Sequence, residues 1–345
     1  MTDEIKKIIL PRKLPEKFRH KDYIPSALVI GGPGSGRDTI AQMVHLFFPE
    51  YRFGDIYTIN MASLKPNYLS VPLMSGFEAE IIGHIKTDGG VSKVNIDTTI
   101  KGIFSKIWEQ HKKRYPGEED MERARKNGLM PVIILDELNS LDIDAQGSLL
   151  RILQNAAIQS LGAHNEEKVD FLVIGIVNEP EDTLTLEEPL RKFAKEKSIF
   201  GGVVGRALYE HFRNMRRLRD DLYYRLVRDG KFTLLDLAER REDIPILFSF
   251  FVKNELDNEI GDGIRWDNLW FDFDIFEELM DRLIPWSGNF RQLQSLAKRT
   301  AYEILQDKDN QDAHSAIRNG DTNRFIHISM KHVRDVMKEF FDKEV

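Results

Sequence analysis

Apolar residues fall into two kinds of run along this chain: short continuous blocks in the first two thirds and helical stripes in the last third. The blocks are SALVIGG (26–32), IYTIN (56–60), PVIIL (131–135) and DFLVIGIV (170–177). Continuous blocks of this length suit strands buried on both faces of a parallel sheet. Helical spacing separates them, with Ile40, Met43, Val44 and Phe47 in TIAQMVHLFF and Ile100, Ile103, Phe104, Ile107 and Trp108 in TTIKGIFSKIW. Alternating strands and helices predict an α/β fold, a three-layer domain on a parallel sheet. After about residue 240 the strands stop, and helices over DIFEELMDRLI (274–284) and SMKHVRDVMKEFF (329–341) predict a smaller C-terminal all-α domain. The expected division is an N-terminal arm at 1–22, an α/β domain at 23–240 and a helical lid domain at 241–345. Charged stretches near 109–128 and 179–212 interrupt the pattern as insertions, either solvated surface or partner-binding segments.

Composition narrows the chemistry. The chain has 345 residues, 41% of them hydrophobic, which suits an ordinary globular protein of two domains. A net charge of −7 argues against a surface that wraps nucleic acid throughout, leaving local basic patches such as HFRNMRRLR (211–219) as the candidates for contact with nucleic acid, an acidic partner or another subunit. With no cysteine, disulfides, thiolate catalysis and the usual structural zinc sites drop out. The nine histidines show no metal-ligand spacing. Charges crowd the N-terminus too closely for a signal peptide, and no apolar run approaches the roughly 20 residues of a membrane span. A soluble cytoplasmic protein is expected.

Strand, glycine-rich turn and helix follow one another at 26–47, the setting a phosphate-binding loop needs. Gly31, Gly32, Pro33, Gly34, Ser35, Gly36, Arg37 and Asp38 span the pattern G-x-x-x-x-G-K-[ST], with Thr39 directly after it, except that Arg37 stands in the lysine position and Asp38 in the hydroxyl position. Backbone N–H groups of such a loop cradle phosphates. A guanidinium preserves the positive charge but is planar and bulkier than an ammonium. Further on, PVIILDE ends a buried run in Asp136 and Glu137, at the strand edge where parallel sheets bind ligands. In a nucleotide hydrolase the first would hold Mg²⁺ and the second would polarise the attacking water, while a helix cap is the plainer use of such a pair.

The runs LDELNSLDIDAQGSLLRILQ (135–154), VDFLVIGIVNEP (169–180), RDDLYYRL (219–226), ERREDIPIL (239–247) and PWSGNFRQL (285–293) make the resemblance specific. In this order they resemble the AAA+ ATPase module of bacterial enhancer-binding proteins, the ring-forming activators of sigma-54 RNA polymerase. The resemblance covers about residues 26–345 and implies a P-loop AAA+ domain with a helical lid, ATP and Mg²⁺ as cofactors, and ATP hydrolysis. It implies that Asp136 binds Mg²⁺, that Glu137 activates water, that Asn178 senses the γ-phosphate and that Asn60 restrains Glu137. Arg219 and Arg225 would be presented to the nucleotide of a neighbouring subunit, with intrachain pairing to Asp220 or Asp221 as the alternative. Arg291 would reach in from the lid.

Two departures bear on what the protein acts upon. The activators carry ELFGHEKGAFTGA, whose tip touches sigma-54. Here EIIGHIKTDGGVS (80–92) retains Glu80, Gly83, His84 and Lys86 but has Gly89 where the contacting aromatic residue stands. The expected partner is therefore a separate protein other than sigma-54, with nucleic acid an open possibility and no membrane. The chain itself would form a homo-oligomer, a hexameric or heptameric ring or a filament. The resemblance also stops at the lid, so sensing and DNA binding are expected from separate chains. Two rival readings remain: a nucleotide-binding switch with little turnover, and a sigma-54 activator with a divergent contact loop.

Overall fold

The computed structural model describes residues 23–63, 77–87, 90–100, 102–141, 143–159, 165–178, 218–260, 264–319 and 324–341. The chain divides into two units, one comprising Met1–Gly31 and Arg37–Thr233, the other Gly32–Gly36 and Leu234–Val345. Residues 234–240, expected in the first domain, thus group with the second, as does most of the glycine-rich loop. The expected arm at 1–22 and the charged stretch at 179–212 lie outside the described residues.

In chain order the first unit contains β1 (Ser26–Ile30), α1 (Arg37–Val44), β2 (Ile56–Asn60), β3 (Phe77–Thr87), β4 (Gly90–Ile100), α2 (Ile103–Arg114) and α3 (Glu118–Lys126). There follow β5 (Val132–Asp136), α4 (Ile143–Asn155), β6 (Ala157–Ile158), β7 (Glu167–Lys168), β8 (Leu172–Val177), α5 (Asp220–Leu226) and β9 (Lys231–Thr233). Five strands form one sheet in the order β2-β5-β8-β1-β9, and every pairing is parallel. No residue of β1 is more than 1% exposed, and β8 is buried throughout. Burial of both alternating faces means that the sheet is covered on both sides, as the apolar blocks require.

Some elements differ from the sequence-based expectation. IYTIN is an edge strand, and Ile56 is 40% exposed. Ile100 ends β4 and does not join the helical stripe, which begins at Ile103. In α1 the buried residues are Arg37, Ala41 and Val44, and Met43 faces outward. The stretch 80–92 belongs to a β-hairpin: β3 and β4 pair antiparallel from Phe77↔Ile100 to Thr87↔Gly90. The two residues between the strands, 88–89, read Asp-Gly, a pair favoured in two-residue hairpin turns. In the charged stretch at 109–128, α3 begins with Glu118, Glu119 and Asp120 and ends with Arg123, Arg125 and Lys126, matching the helix dipole. Arg125 donates two hydrogen bonds to Asp170, which also accepts from the Tyr51 hydroxyl at 2.6 Å.

The second unit contains α6 (Ile244–Ile260), β10 (Leu269–Phe271), α7 (Phe273–Leu279), α8 (Asn289–Gln306), α9 (Lys308–Arg318), β11 (Ile326–Ile328) and α10 (Met330–Phe341). Phe248, Val252, Leu256, Leu293, Leu296, Ile304 and Val333 form its core. Strands do not stop at residue 240, since β10 and β11 make a three-residue parallel pair, too short for its alternation to stand out in the sequence. The helix expected over 274–284 ends at Leu279, because Trp286 folds back and donates its indole N–H to the Leu279 carbonyl.

One charged cluster makes this unit pH-sensitive. Asp307 caps α9, accepting from the Asp309 N–H, and also meets Lys331 and His332 at 2.8 Å each. The Lys331 hydrogen bond is the largest influence holding its carboxyl down at about 2, against an ordinary 3.8. A carboxyl depressed on folding stabilises the fold above its unfolded value and loses that contribution as pH falls through the folded one. Asp307→Asn is therefore expected to melt at a lower temperature than wild type near neutral pH. The difference should narrow below pH 3.8 and close only as pH falls below about 2, as thermal denaturation across pH would read.

Candidate functional site

Parallel topology brings distant residues to one sheet edge. All five strands point the same way, and β8 lies between β1 and β5. The glycine-rich turn leaves the end of β1, Asn178 follows the end of β8, Asp136 ends β5 and Asn60 ends β2. Register confirms the alignment: Ile30 pairs with Val177, and Asn60 with Asp136. Gly31 donates its N–H to the Val177 carbonyl at 3.3 Å. Ligands bind at this kind of carboxyl edge.

Asp136 is half-buried, and its carboxyl is pushed up, first by burial and then by the neighbouring Asp38 carboxylate; the Glu137 N–H and Arg37 pull the other way. The Asp136 Oδ1 accepts the Glu137 N–H at 2.9 Å. Glu137 has φ 51°, a left-handed conformation uncommon outside glycine, which turns the chain sharply off the strand. Two carboxylates whose charges oppose each other at a partly desolvated strand end form a hard oxygen donor set, and Mg²⁺ fits it. Asp136 would be the principal ligand.

Arg37 opens α1 and is 9% exposed. Its guanidinium folds back on the loop and donates to the Gly31 carbonyl at 2.9 Å. Its Nε has no hydrogen-bond partner among the described residues and lies 4.0 Å from Asp38. A buried guanidinium with a spare donor is suited to an anionic oxygen acceptor. In the loop itself, Gly34 and Gly36 have φ 76° and 90°, and Ser35 closes a turn on Gly32 at 3.2 Å. Left-handed residues of this kind make backbone nests for anions.

Asn178 carries a neighbour that sequence reasoning missed. Asn139, 1% exposed, donates its Nδ2–H to the Asn178 Oδ1 at 2.9 Å. The only sequence signal was a polar pair, Asn139 and Ser140, set between Leu138 and Leu141. Asn60 is exposed, and its side chain accepts from the Ser63 N–H at 3.2 Å.

The two motif arginines occupy different environments. Arg225 is 7% exposed and donates to the carbonyls of Ile24 and Leu153 at 2.6 and 2.8 Å, with its guanidinium 4.5 Å from the Tyr23 ring centre. Arg219 is partly exposed and makes a two-pronged ion pair with Asp221, whose carboxyl it lowers. Withdrawing a buried, hydrogen-bonded charge costs about 3–5 kcal/mol. An ion pair at the surface is worth only about 0–1 kcal/mol. Arg219 is thus the cheaper of the two to redeploy. Thr39 is exposed on α1 in the first unit, and Arg291 is exposed near the start of α8 in the second.

A family model described as the Sigma-54 interaction domain matches residues 118–194. Regulatory protein AtoC of Escherichia coli K12 is 26% identical over 276 residues, covering 79% of this chain and 44% of AtoC. The chain is similar in sequence to this regulator over most of its own length. The DNA-binding transcriptional regulator NtrC of Rhizobium meliloti is 26% identical over 280 residues, 81% of this chain and 43% of NtrC. The chain thus spans less than half the length of these curated relatives. Among solved structures, NtrX from Brucella abortus aligns with TM-score 0.52 at 18% identity, over 99% of this chain and 58% of NtrX. NtrX in complex with ATP aligns with TM-score 0.50 at 19% identity. The chain accordingly shares the fold of NtrX, with a parallel-sheet α/β core and a C-terminal helical region. No helix among the described residues is long and apolar enough to cross a membrane.

Proposed function

We propose that this chain binds ATP with Mg²⁺ and hydrolyses it to drive changes in a protein partner. The observation that carries the reading is the gathering of Asp136, Glu137, Asn178 and the start of the phosphate loop on one edge of a parallel sheet. Water would attack the γ-phosphorus in line, releasing ADP and phosphate. Glu137 orients and polarises that water. Arg37 and the loop N–H groups hold the phosphates, and Asp136 holds Mg²⁺, which when bound neutralises charge on the phosphate oxygens. The relatives are regulators, and NtrX is known in complexes with ATP and with ADP, which supports a nucleotide at this site.

The Asn139 bond gives Asn178 a direction. With its amide oxygen occupied, Asn178 presents NH₂ donors, and phosphate offers only acceptors. Asn139→Ala is expected to lower kcat by roughly tenfold, one hydrogen bond of about 1.4 kcal/mol, with ADP affinity little changed. An unchanged kcat in steady-state phosphate release would remove Asn139 from the account.

In the assembled state, a homo-oligomeric ring, Arg219 would leave Asp221 for a neighbour's nucleotide, while Arg225 would stay in its own subunit. Phosphate release by the assembled chain, compared with its Glu137→Gln variant, tests the reading: equal rates would sink it.

A second reading has its own support, since NtrC is a DNA-binding transcriptional regulator and the matching family model is a sigma-54 interaction domain. The chain would then be a sigma-54 activator whose contact element is the β3–β4 hairpin in place of the usual tip. Capture of sigma-54 in the presence of ADP and an aluminium fluoride would favour it; no capture would favour a different partner.

A further inference from the structure

Three consecutive carbonyls of the glycine-rich loop are each taken by a donor from the C-terminal part of the same unit. The Pro33 carbonyl accepts from Asn289 Nδ2 at 3.1 Å, the Gly34 carbonyl from the Phe290 N–H at 2.9 Å and the Ser35 carbonyl from the Arg240 guanidinium at 2.7 Å. The donors are themselves braced. Asn289 is 3% exposed with φ 51°; its Oδ1 accepts the Leu237 N–H at 2.6 Å, and its Nδ2 also meets Asp236 at 3.0 Å. Arg240 lies 4.6 Å from the Phe290 ring centre. The fit is close enough to dictate glycine: a Cβ on Gly34 would stand 2.8 Å from the Gly288 carbonyl oxygen, and one on Gly36 2.9 Å from the Phe290 ring.

We infer that Asn289 and Arg240 are positioning residues that hold the loop's carbonyls to one side and so aim its N–H groups at a phosphate. The geometry of the peptide unit supplies the reason. In a trans peptide the N–H points opposite the preceding C=O, and no peptide here is cis. Fixing the Pro33 carbonyl against Asn289 turns the Gly34 N–H the other way, and fixing the Ser35 carbonyl against Arg240 does the same for the Gly36 N–H. The loop's anion-binding shape is thereby set before any ligand arrives, by residues more than 200 positions away in the chain. Neither residue needs to touch the nucleotide. The role in binding rests on the nucleotide reading above; the clamp itself does not.

The experiment compares full-length wild type with Arg240→Gln and Asn289→Asp. The first substitutes a side chain that is 19% exposed, and the second keeps an acceptor oxygen and tolerance of the left-handed backbone while removing the Nδ2 donor. Amide hydrogen exchange is read at the bonded amides of the clamped loop, Ser35 on Gly32 and Phe290 on Gly34, and at α6, with ADP affinity measured by calorimetry. In both variants exchange should rise in the loop but not in α6, and ADP affinity should fall about tenfold. Arg240→Lys, which keeps a charged donor, should recover part of both effects. Loop exchange at the wild-type rate in both variants would overturn the clamp. Faster loop exchange with unchanged ADP affinity would overturn the positioning role. If wild type binds no ADP while the variants loosen the loop, the nucleotide reading fails and the clamp stands.

Discussion

Glu137→Gln should abolish phosphate release from ATP while leaving ATP bound. Glu137 sits at a turn with φ 51°, beside the strand-end Asp136 whose Oδ1 accepts its N–H. Glutamine has nearly the same size and the same backbone tolerance, so the turn and the Asp136 contact survive. What is lost is the carboxylate proposed to polarise water. Removal of a positioned general base costs about 10²–10⁴ in rate. The variant should therefore turn over at least about 100-fold more slowly than wild type and hold ATP at least as firmly. Phosphate release and ATP binding measured side by side would show this, and a variant that hydrolyses at the wild-type rate would place the catalytic base elsewhere.

Arg37→Ala should have the largest effect on binding. The wild-type guanidinium is 9% exposed, donates to Gly31 and retains an Nε–H unmatched among the described residues. Loss of a buried charged partner costs about 2–5 kcal/mol, so ATP and ADP affinity should fall by about 30-fold or more. Arg37→Lys keeps the charge and a flexible donor, and should bind ATP within about tenfold of wild type. Calorimetric titration of the three proteins gives the comparison. Equal affinity of Arg37→Ala and wild type would mean that the loop amides act without this side chain.

The α/β core was readable because parallel strands announce themselves as apolar blocks: 26–30, 132–136 and 172–177 all became buried neighbours. The position of Asp136 at the end of β5, and of the glycine-rich turn after β1, was legible for the same reason, since each directly follows an apolar block. Edge position was not legible. Ile56–Asn60 has the composition of a central strand, and only the pairing order places it outside. The hairpin at 77–100 was missed because a motif comparison treats 80–92 as a loop with a changed tip. The physical cue was the two-residue Asp-Gly spacing between long flanking segments. Motif matching also treats Arg219 and Arg225 alike, whereas burial separates them. Contacts between residues far apart in the chain, such as Asn139 with Asn178 and Asn289 with Pro33, have no local periodicity to reveal them.

The central claim is that this chain carries a nucleoside triphosphate site in which an arginine stands in the lysine position. Calorimetric titration of ATP into the purified chain, with and without Mg²⁺, tests it most directly. The account predicts saturable binding of one ATP per chain, strengthened by Mg²⁺ and competed by ADP, since Asp136 and Asp38 oppose each other until a cation joins them. Absence of saturable binding in both conditions would contradict it.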